Sequence, residues 1–239
     1  MTLLAILVLG FFLGMRHATD ADHVVAVTTI VSRQRSLRGA VAVGALWGLG
    51  HTVTILLVGG AIVVLGLVIP PRLGLSMELS VAVMLVVLGF MNIAGAKRRV
   101  EEVAHGEHPG HVHTGLSERP PGTSTGKWPL ASLRPLFVGV VHGLAGSAAI
   151  ALLVLATIRQ VGWALLYLGI FGAGTILGMM VLTTAMAVPV RAASARFGSL
   201  EHVMARATGV LSILFGLFLA YQIGFVDGLF VGEPNWSPR

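Results

Sequence analysis

Arg16, His17, Asp20, Asp22 and His23 fall within eight consecutive positions of an apolar segment that runs from about Leu3 to Val31. Ionisable side chains cost several kcal/mol at bilayer depth, so they are rare in membrane segments and mark function when they occur. Two imidazoles and two carboxylates at this spacing are ligand types that divalent transition metals prefer. At about 100° per residue on a regular helix, His17, Asp20 and His23 share one broad face with Arg16 beside them, while Asp22 points roughly the other way. Two arrangements remain open. Either His17, Asp20 and His23 hold an ion with Asp22 behind them, or the helix opens between Gly14 and His23 and Asp22 joins the set. Arg16 stands four residues before Asp20 and can neutralise that carboxylate when no cation is bound.

Two further histidines lie in apolar segments. His51 sits in Gly48-Leu49-Gly50-His51-Thr52, and His142 in Gly139-Val140-Val141-His142-Gly143. The metal reading takes His17, Asp20, Asp22, His23, His51 and His142 together. The plainer alternative is that these imidazoles hydrogen-bond helix to helix. His105, His108, His111 and His113 alternate with Gly and Pro near Glu102 and Glu107. Such a tract either holds metal loosely as a secondary site or is a solvated linker. Most of the nine methionines stand singly in apolar segments and read as packing. Glu78, Glu201 and His202 lie near segment ends, where side chains snorkel to water.

The elements that must position these residues are membrane helices. Of 239 residues, 55% are hydrophobic and 11% charged, against about 25% charged in soluble domains; mean hydropathy is +0.88. Cysteine is absent, which removes disulfides, thiolate metal sites and thiol relays. Apolar segments long enough to span a bilayer lie near 3–31, 39–69, 76–96, 130–158, 161–190 and 203–226. A polar stretch, 97–129, contains Pro120-Pro121 and four histidines and reads as a loop. The first apolar run has no basic leader before it and reads as a retained span. The expected fold is all-α and polytopic.

Twelve of the sixteen Lys and Arg residues fall after the first, third and fifth segments, among them Arg33, Arg35, Arg38, Lys97, Arg191 and Arg206. The positive-inside rule then puts both termini outside and loop 97–129 in the cytoplasm. The formal charge of +6 is spread over segment ends rather than gathered on a soluble patch, so it argues topology and not a nucleic-acid footprint. The halves also match. Phe12-Leu13-Gly14-Met15-Arg16-His17 aligns with Phe137-Val138-Gly139-Val140-Val141-His142 at an offset of 125, and Trp47-Gly48-Leu49-Gly50 with Phe171-Gly172-Ala173-Gly174 at 124. Three spans per half make such repeats inverted, a transporter architecture. The expected division is a first three-helix repeat with the metal motif (1–96), the loop (97–129) and a second three-helix repeat (130–239).

At its metal motif the chain resembles the NiCoT nickel/cobalt permeases, within the wider NicO and LysE-like transporters. The family signature H-x-x-x-x-D-H is matched by His17, Asp22 and His23, and a Leu-Gly-His-Thr-like element by Leu49-Gly50-His51-Thr52. The two matches cover about the first quarter of the chain. The resemblance implies transport of Ni²⁺ or Co²⁺, with His17, Asp22 and His23 in the selectivity site, and it favours Asp22 as a ligand. The chain departs from the family in having six segments rather than eight. It also carries Val141-His142-Gly143-Leu144-Ala145-Gly146-Ser147 where the family has an acidic Gly-Phe-Asp-Thr-Ala-Thr-Glu-like motif. It is similar to a shorter relative of the kind associated with urease genes.

The resulting expectation is a secondary transporter of the cell inner membrane, not an enzyme, with no permanently bound cofactor and the metal ion as substrate. No Gly-x-x-x-x-Gly-Lys-Ser/Thr motif is present, so coupling falls to protons or membrane potential. The expected partners are the metal ion, the bilayer, a metallochaperone or urease-type recipient, and further copies of the chain in a homo-oligomer. Efflux competes with uptake. A second class competes as well: an intramembrane zinc hydrolase with His17, His51 and His142 as ligands and Asp20 or Asp22 activating water.

Overall fold

The computed structural model describes residues 2–32, 36–105, 133–144, 154–155, 157–158, 160–196 and 200–236; for 96–105, 193–196 and 200–202 it describes the backbone alone. The described residues form helices α1 (Leu3–His17), α2 (Ala21–Val31), α3 (Leu37–Leu65), α4 (Pro71–His105), α5 (Arg134–Gly143), α6 (Val161–Arg196) and α7 (Leu200–Tyr221), which runs into a π-helical turn at Gln222–Val226; no strand occurs among them. Four helices are long and apolar enough to cross a bilayer, at Leu37–Leu65, Pro71–Gly95, Val161–Ala192 and Val203–Val226. The α1–α2 pair, bent by 54°, makes a fifth if it is one broken span. Large apolar side chains such as Phe90, Leu57 and Leu214 are exposed on these helices, as a lipid-facing surface requires. The protein is a multi-pass membrane-type helical protein. Of the segment expected at 130–158, α5 and a few residues near 155 are described.

Local chemistry sets the ends of these helices. Thr2 caps α1 by accepting from the Ala5 N–H (3.4 Å), and Ser36 caps α3 by accepting from the Gly39 N–H (3.0 Å). The left-handed φ of 64° at Gly66 closes α3, a conformation that glycine alone adopts without a Cβ penalty. Pro71, which needs no N–H partner at the first helical position, opens α4. That helix continues to His105, past the expected loop start at 97, because Lys97-Arg98-Arg99 and Glu101-Glu102 are good helix formers even though they are too polar to count as a span. The remainder of the loop, 106–129, lies outside the described residues.

Glycines set the helix packing, and their contacts repeat. In the α1–α6 pair, which run in the same direction, a Cβ at Gly14 would strike the Phe171 carbonyl and lie 2.9 Å from the Thr175 nitrogen. In the α3–α5 pair, also co-directional, a Cβ at Gly139 would strike the Trp47 carbonyl and lie 3.0 Å from the His51 nitrogen. Gly174 lies against the Phe11 carbonyl as Gly50 lies against that of Leu136. Where α3 and α6 cross antiparallel, Gly48 meets Ile176 and Gly172 meets Thr52. In the antiparallel α4–α7 pair, Gly89 meets the Gly209 carbonyl and Gly216 that of Ala82. Only a bare Cα permits backbones this close, the usual device of membrane helices.

Polar side chains fasten α2 separately. The Asn92 amide of α4 reaches Ser32 Oγ (3.2 Å), the Ala205 carbonyl (3.0 Å) and Thr208 Oγ1 (3.1 Å), and Thr29 Oγ1 donates to the Thr208 carbonyl (3.3 Å). The end of α2 is therefore held by α4 and α7, while α1 packs along α6. At the far end of α4, Glu78 accepts from Trp236 Nε1 (2.9 Å) rather than simply snorkelling.

Candidate metal centre

The chain between His17 and Ala21 leaves the helical path. The Ala18 N–H still reaches the Gly14 carbonyl, but Thr19 turns its N–H (2.8 Å) and its hydroxyl (2.6 Å) to the Arg16 carbonyl. Asp20 then adopts an extended ψ of 151° and becomes the N-cap position of α2. Short polar side chains that bond to nearby backbone compete with helix in this way. The break rotates α2 by 54° against α1, which brings Asp22 inward. Of the two arrangements left open above, the helix opens. Asp22 also sits in the first turn of α2, where the helix dipole favours a negative charge.

Histidines of two other helices, His51 of α3 and His142 of α5, meet this break. His17 Nδ1 donates to Asp20 Oδ2 (2.8 Å), and its Nε2 faces His51 Nε2 at 3.0 Å. Asp22 divides its carboxylate: Oδ1 accepts from the His23 N–H (2.9 Å) and Nδ1 (3.1 Å), and Oδ2 from His142 Nε2 (2.9 Å). His17, His23, His51 and His142 are buried, while Asp20 and Asp22 are partly so. The hydrogen bonds fix the tautomers. With Asp20 holding the proton on His17 Nδ1, the proton between the facing nitrogens belongs to His51 Nε2, and His51 Nδ1 carries a lone pair.

Four buried nitrogens here find no hydrogen-bond partner among the described residues: His23 Nε2, His51 Nδ1, His142 Nδ1 and Trp47 Nε1. A buried polar group without a partner costs about 1–3 kcal/mol, so three such imidazoles in one cluster require an explanation other than stability. Two sets of ligand atoms converge, each with its members within 4.8 Å of one another: His17, His23 and His51, and Asp22, His23 and His142. Neutral imidazole and carboxylate suit Ni²⁺, Co²⁺ and Zn²⁺ alike. The trio His17, His51 and His142 considered for a hydrolase is not one of these sets; His23 takes the place of His142 beside the other two.

Aromatic rings wall the cluster in a paired manner. Trp47 stacks on His23 (6.3 Å between centroids, 19° between planes) and meets His142 edge-on at 5.7 Å, while Phe171 lies 5.6 Å from His17. Trp47 and Phe171 are not among the site residues expected from the sequence, although their offset of 124 beside the His17–His142 offset of 125 was the available signal. The position matching His51 is Thr175, whose hydroxyl donates to its own helix at the Phe171 carbonyl (3.0 Å). Arg16 is exposed and forms no ion pair among the described residues; Asp20 turns to His17 instead. The side chain of His105 and all of His108, His111 and His113 lie outside the described residues.

No protein-family model matches the chain, and no solved structure matches it. A curated relative does: the urease accessory protein UreH of Bacillus sp. (strain TB-90) is 39% identical over 228 residues, covering 95% of this chain and 96% of the relative. With four buried histidines and an aspartate gathered at a broken membrane helix, and with that identity over nearly the full length of both proteins, the chain belongs to the UreH family of urease accessory proteins and is not an enzyme.

Proposed function

We propose that the protein is a secondary permease that carries Ni²⁺ into the cell, with Co²⁺ as the nearest competing cargo. The observation that carries this reading is the convergence of His17, Asp22, His23, His51 and His142 at a helix break within an apolar helix pair. Broken helices with ionisable side chains at mid-membrane are how secondary transporters bind ions. The motifs shared with nickel/cobalt permeases fall on four of these residues, His17, Asp22, His23 and His51. Urease is a nickel enzyme, and the relative is named a urease accessory protein, which supports a metallochaperone or urease itself as the recipient of the cargo. Uptake is favoured energetically: an interior-negative potential draws a dication inward with about 4.6 kcal/mol per 100 mV. The metal is cargo, and no permanent cofactor is needed.

The architecture of this reading is six spans in two inverted halves, both termini outside, with 97–129 and its histidines in the cytoplasm as a collecting tract. It is supported by the Lys/Arg distribution and by the glycine contacts, in which Gly14 and Gly139, Phe171 and Trp47, and Gly174 and Gly50 exchange roles at offsets of 125 and 124. His17, His51 and His142 then lie where the halves meet, as the binding site of an inverted-repeat transporter should.

Liposomes loaded with a metal-quenched fluorophore test the proposal. Protein-containing vesicles quench on addition of Ni²⁺ or Co²⁺ faster than empty ones and do not respond to Mg²⁺, and His17→Ala together with Asp22→Ala abolishes the response. Equal rates for wild type and the double variant refute it.

A further inference from the structure

His23 belongs to both converging sets. Its Nδ1 is on the Asp22 carboxylate at 3.1 Å, and His142 Nε2 reaches the other oxygen of the same carboxylate at 2.9 Å. Its Nε2, across the ring, is buried without a partner among the described residues, and the His17 and His51 rings pack edge-to-face with the His23 ring, 4.8 and 5.2 Å between centroids. One imidazole cannot give both nitrogens to one ion, because its two lone pairs point away from each other in the ring plane. The ligand atoms gather as two sets of three that share His23, and not as one set of five.

We infer that the permease offers one ion two alternative positions in series, an all-imidazole position at His17, His23 and His51 and a mixed position at Asp22, His23 and His142, with the His23 ring between them. The inference rests on the permease reading and refines its site. Two dications on either side of one ring repel four times as strongly as unit charges, and the surroundings are of low dielectric, so the positions fill one at a time. Passing from one to the other exchanges two of the three ligand side chains and keeps His23. The positions also differ in kind. The first offers three neutral nitrogens, and the second adds a carboxylate charge. A transported ion needs sites weak enough to leave, and two partial sets meet that need better than one complete cage.

Equilibrium dialysis of the detergent-purified full chain against Ni²⁺, joined to nickel X-ray absorption, tests this. Wild type should bind one Ni²⁺ per chain. His142→Gln should keep one ion with three imidazole ligands. His51→Gln should keep one ion with a carboxylate and two imidazoles. Each should weaken affinity by about tenfold to a hundredfold, while His23→Gln loses binding beyond a thousandfold. Both single variants, although they bind, should fail to move Ni²⁺ into vesicles, because each lacks the next station. Gel-filtration profile and thermal midpoint report folding, and Asp22→Asn, which should behave as His142→Gln does, replaces any variant that misfolds. The two-position scheme is overturned if either His51→Gln or His142→Gln alone abolishes binding, if His23→Gln binds as wild type does, or if two ions bind at once. A wild type that binds no nickel overturns the permease reading as well, so the two failures are distinct.

Discussion

Asp20 separates a residue that holds the ion from one that holds the ligand. Its Oδ2 accepts from His17 Nδ1 at 2.8 Å, while the other ring nitrogen, Nε2, faces His51. A carboxylate in this position fixes the imidazole tautomer and raises the basicity of the opposite nitrogen; removing such a partner costs about 10- to 100-fold in metal affinity, or about 1.4–2.7 kcal/mol. The Asp20 side chain is 36% exposed against 4% for His17, so water screens its charge and the lower part of the range applies to charge alone. Asp20→Asn keeps an acceptor for the Nδ1 proton and should weaken Ni²⁺ binding by about tenfold; Asp20→Ala frees the ring as well and should approach a hundredfold. Competition of the purified protein with a chelator of known nickel affinity reads both. Loss beyond a thousandfold in Asp20→Asn would make Asp20 a direct ligand, and unchanged affinity in Asp20→Ala would show that the hydrogen bond does not orient His17. Either result refutes the argument.

Other expectations follow from the packing. Gly139→Ala and Gly14→Ala drive a methyl into a facing carbonyl and should each destabilise by about 1–3 kcal/mol, whereas Gly169→Ala, with open space around it, should be neutral or gain up to about 1 kcal/mol. Thermal midpoints in detergent compare the three, and equal midpoints would contradict the close helix approach. Trp47 stands against His23 and His142, so Ni²⁺ should quench tryptophan fluorescence and Trp47→Phe should remove most of that quenching; persistence in the variant would place the ion elsewhere. Asn92→Leu removes the amide that reaches α2 and α7; with interhelical hydrogen bonds averaging about 0.6 kcal/mol in membranes, the loss should be about 1–2 kcal/mol in a denaturant titration.

The chemistry was legible in the sequence further than the geometry was. Ionisable residues in an apolar run stand out because the bilayer excludes them, so His17, Asp20, Asp22, His23, His51 and His142 were all visible before folding. Periodicity, however, assumes a regular helix, and on that assumption Asp22 faced away. The break that turns it inward depends on Thr19 and Asp20 bonding locally, a competition that one turn of sequence signals only weakly. The extension of α4 to His105 went unseen for the opposite reason: hydropathy ends a span at its first charges, whereas helix propensity carries the backbone past them. Trp47 and Phe171 carry no ionisable group and do not stand out in an apolar run, and only the packed helices show which imidazoles they cover. His108, His111 and His113 lie outside the described residues, and their metal-holding role stays with the sequence argument.

Radioactive nickel-63 uptake into proteoliposomes under an imposed interior-negative potential tests the central claim most directly. The account predicts accumulation against a nickel gradient by wild type, dependent on the potential or on a pH gradient, and its loss in His17→Ala. Nickel that binds the protein yet never enters the vesicles, or entry that persists at the wild-type rate in His17→Ala, would contradict it.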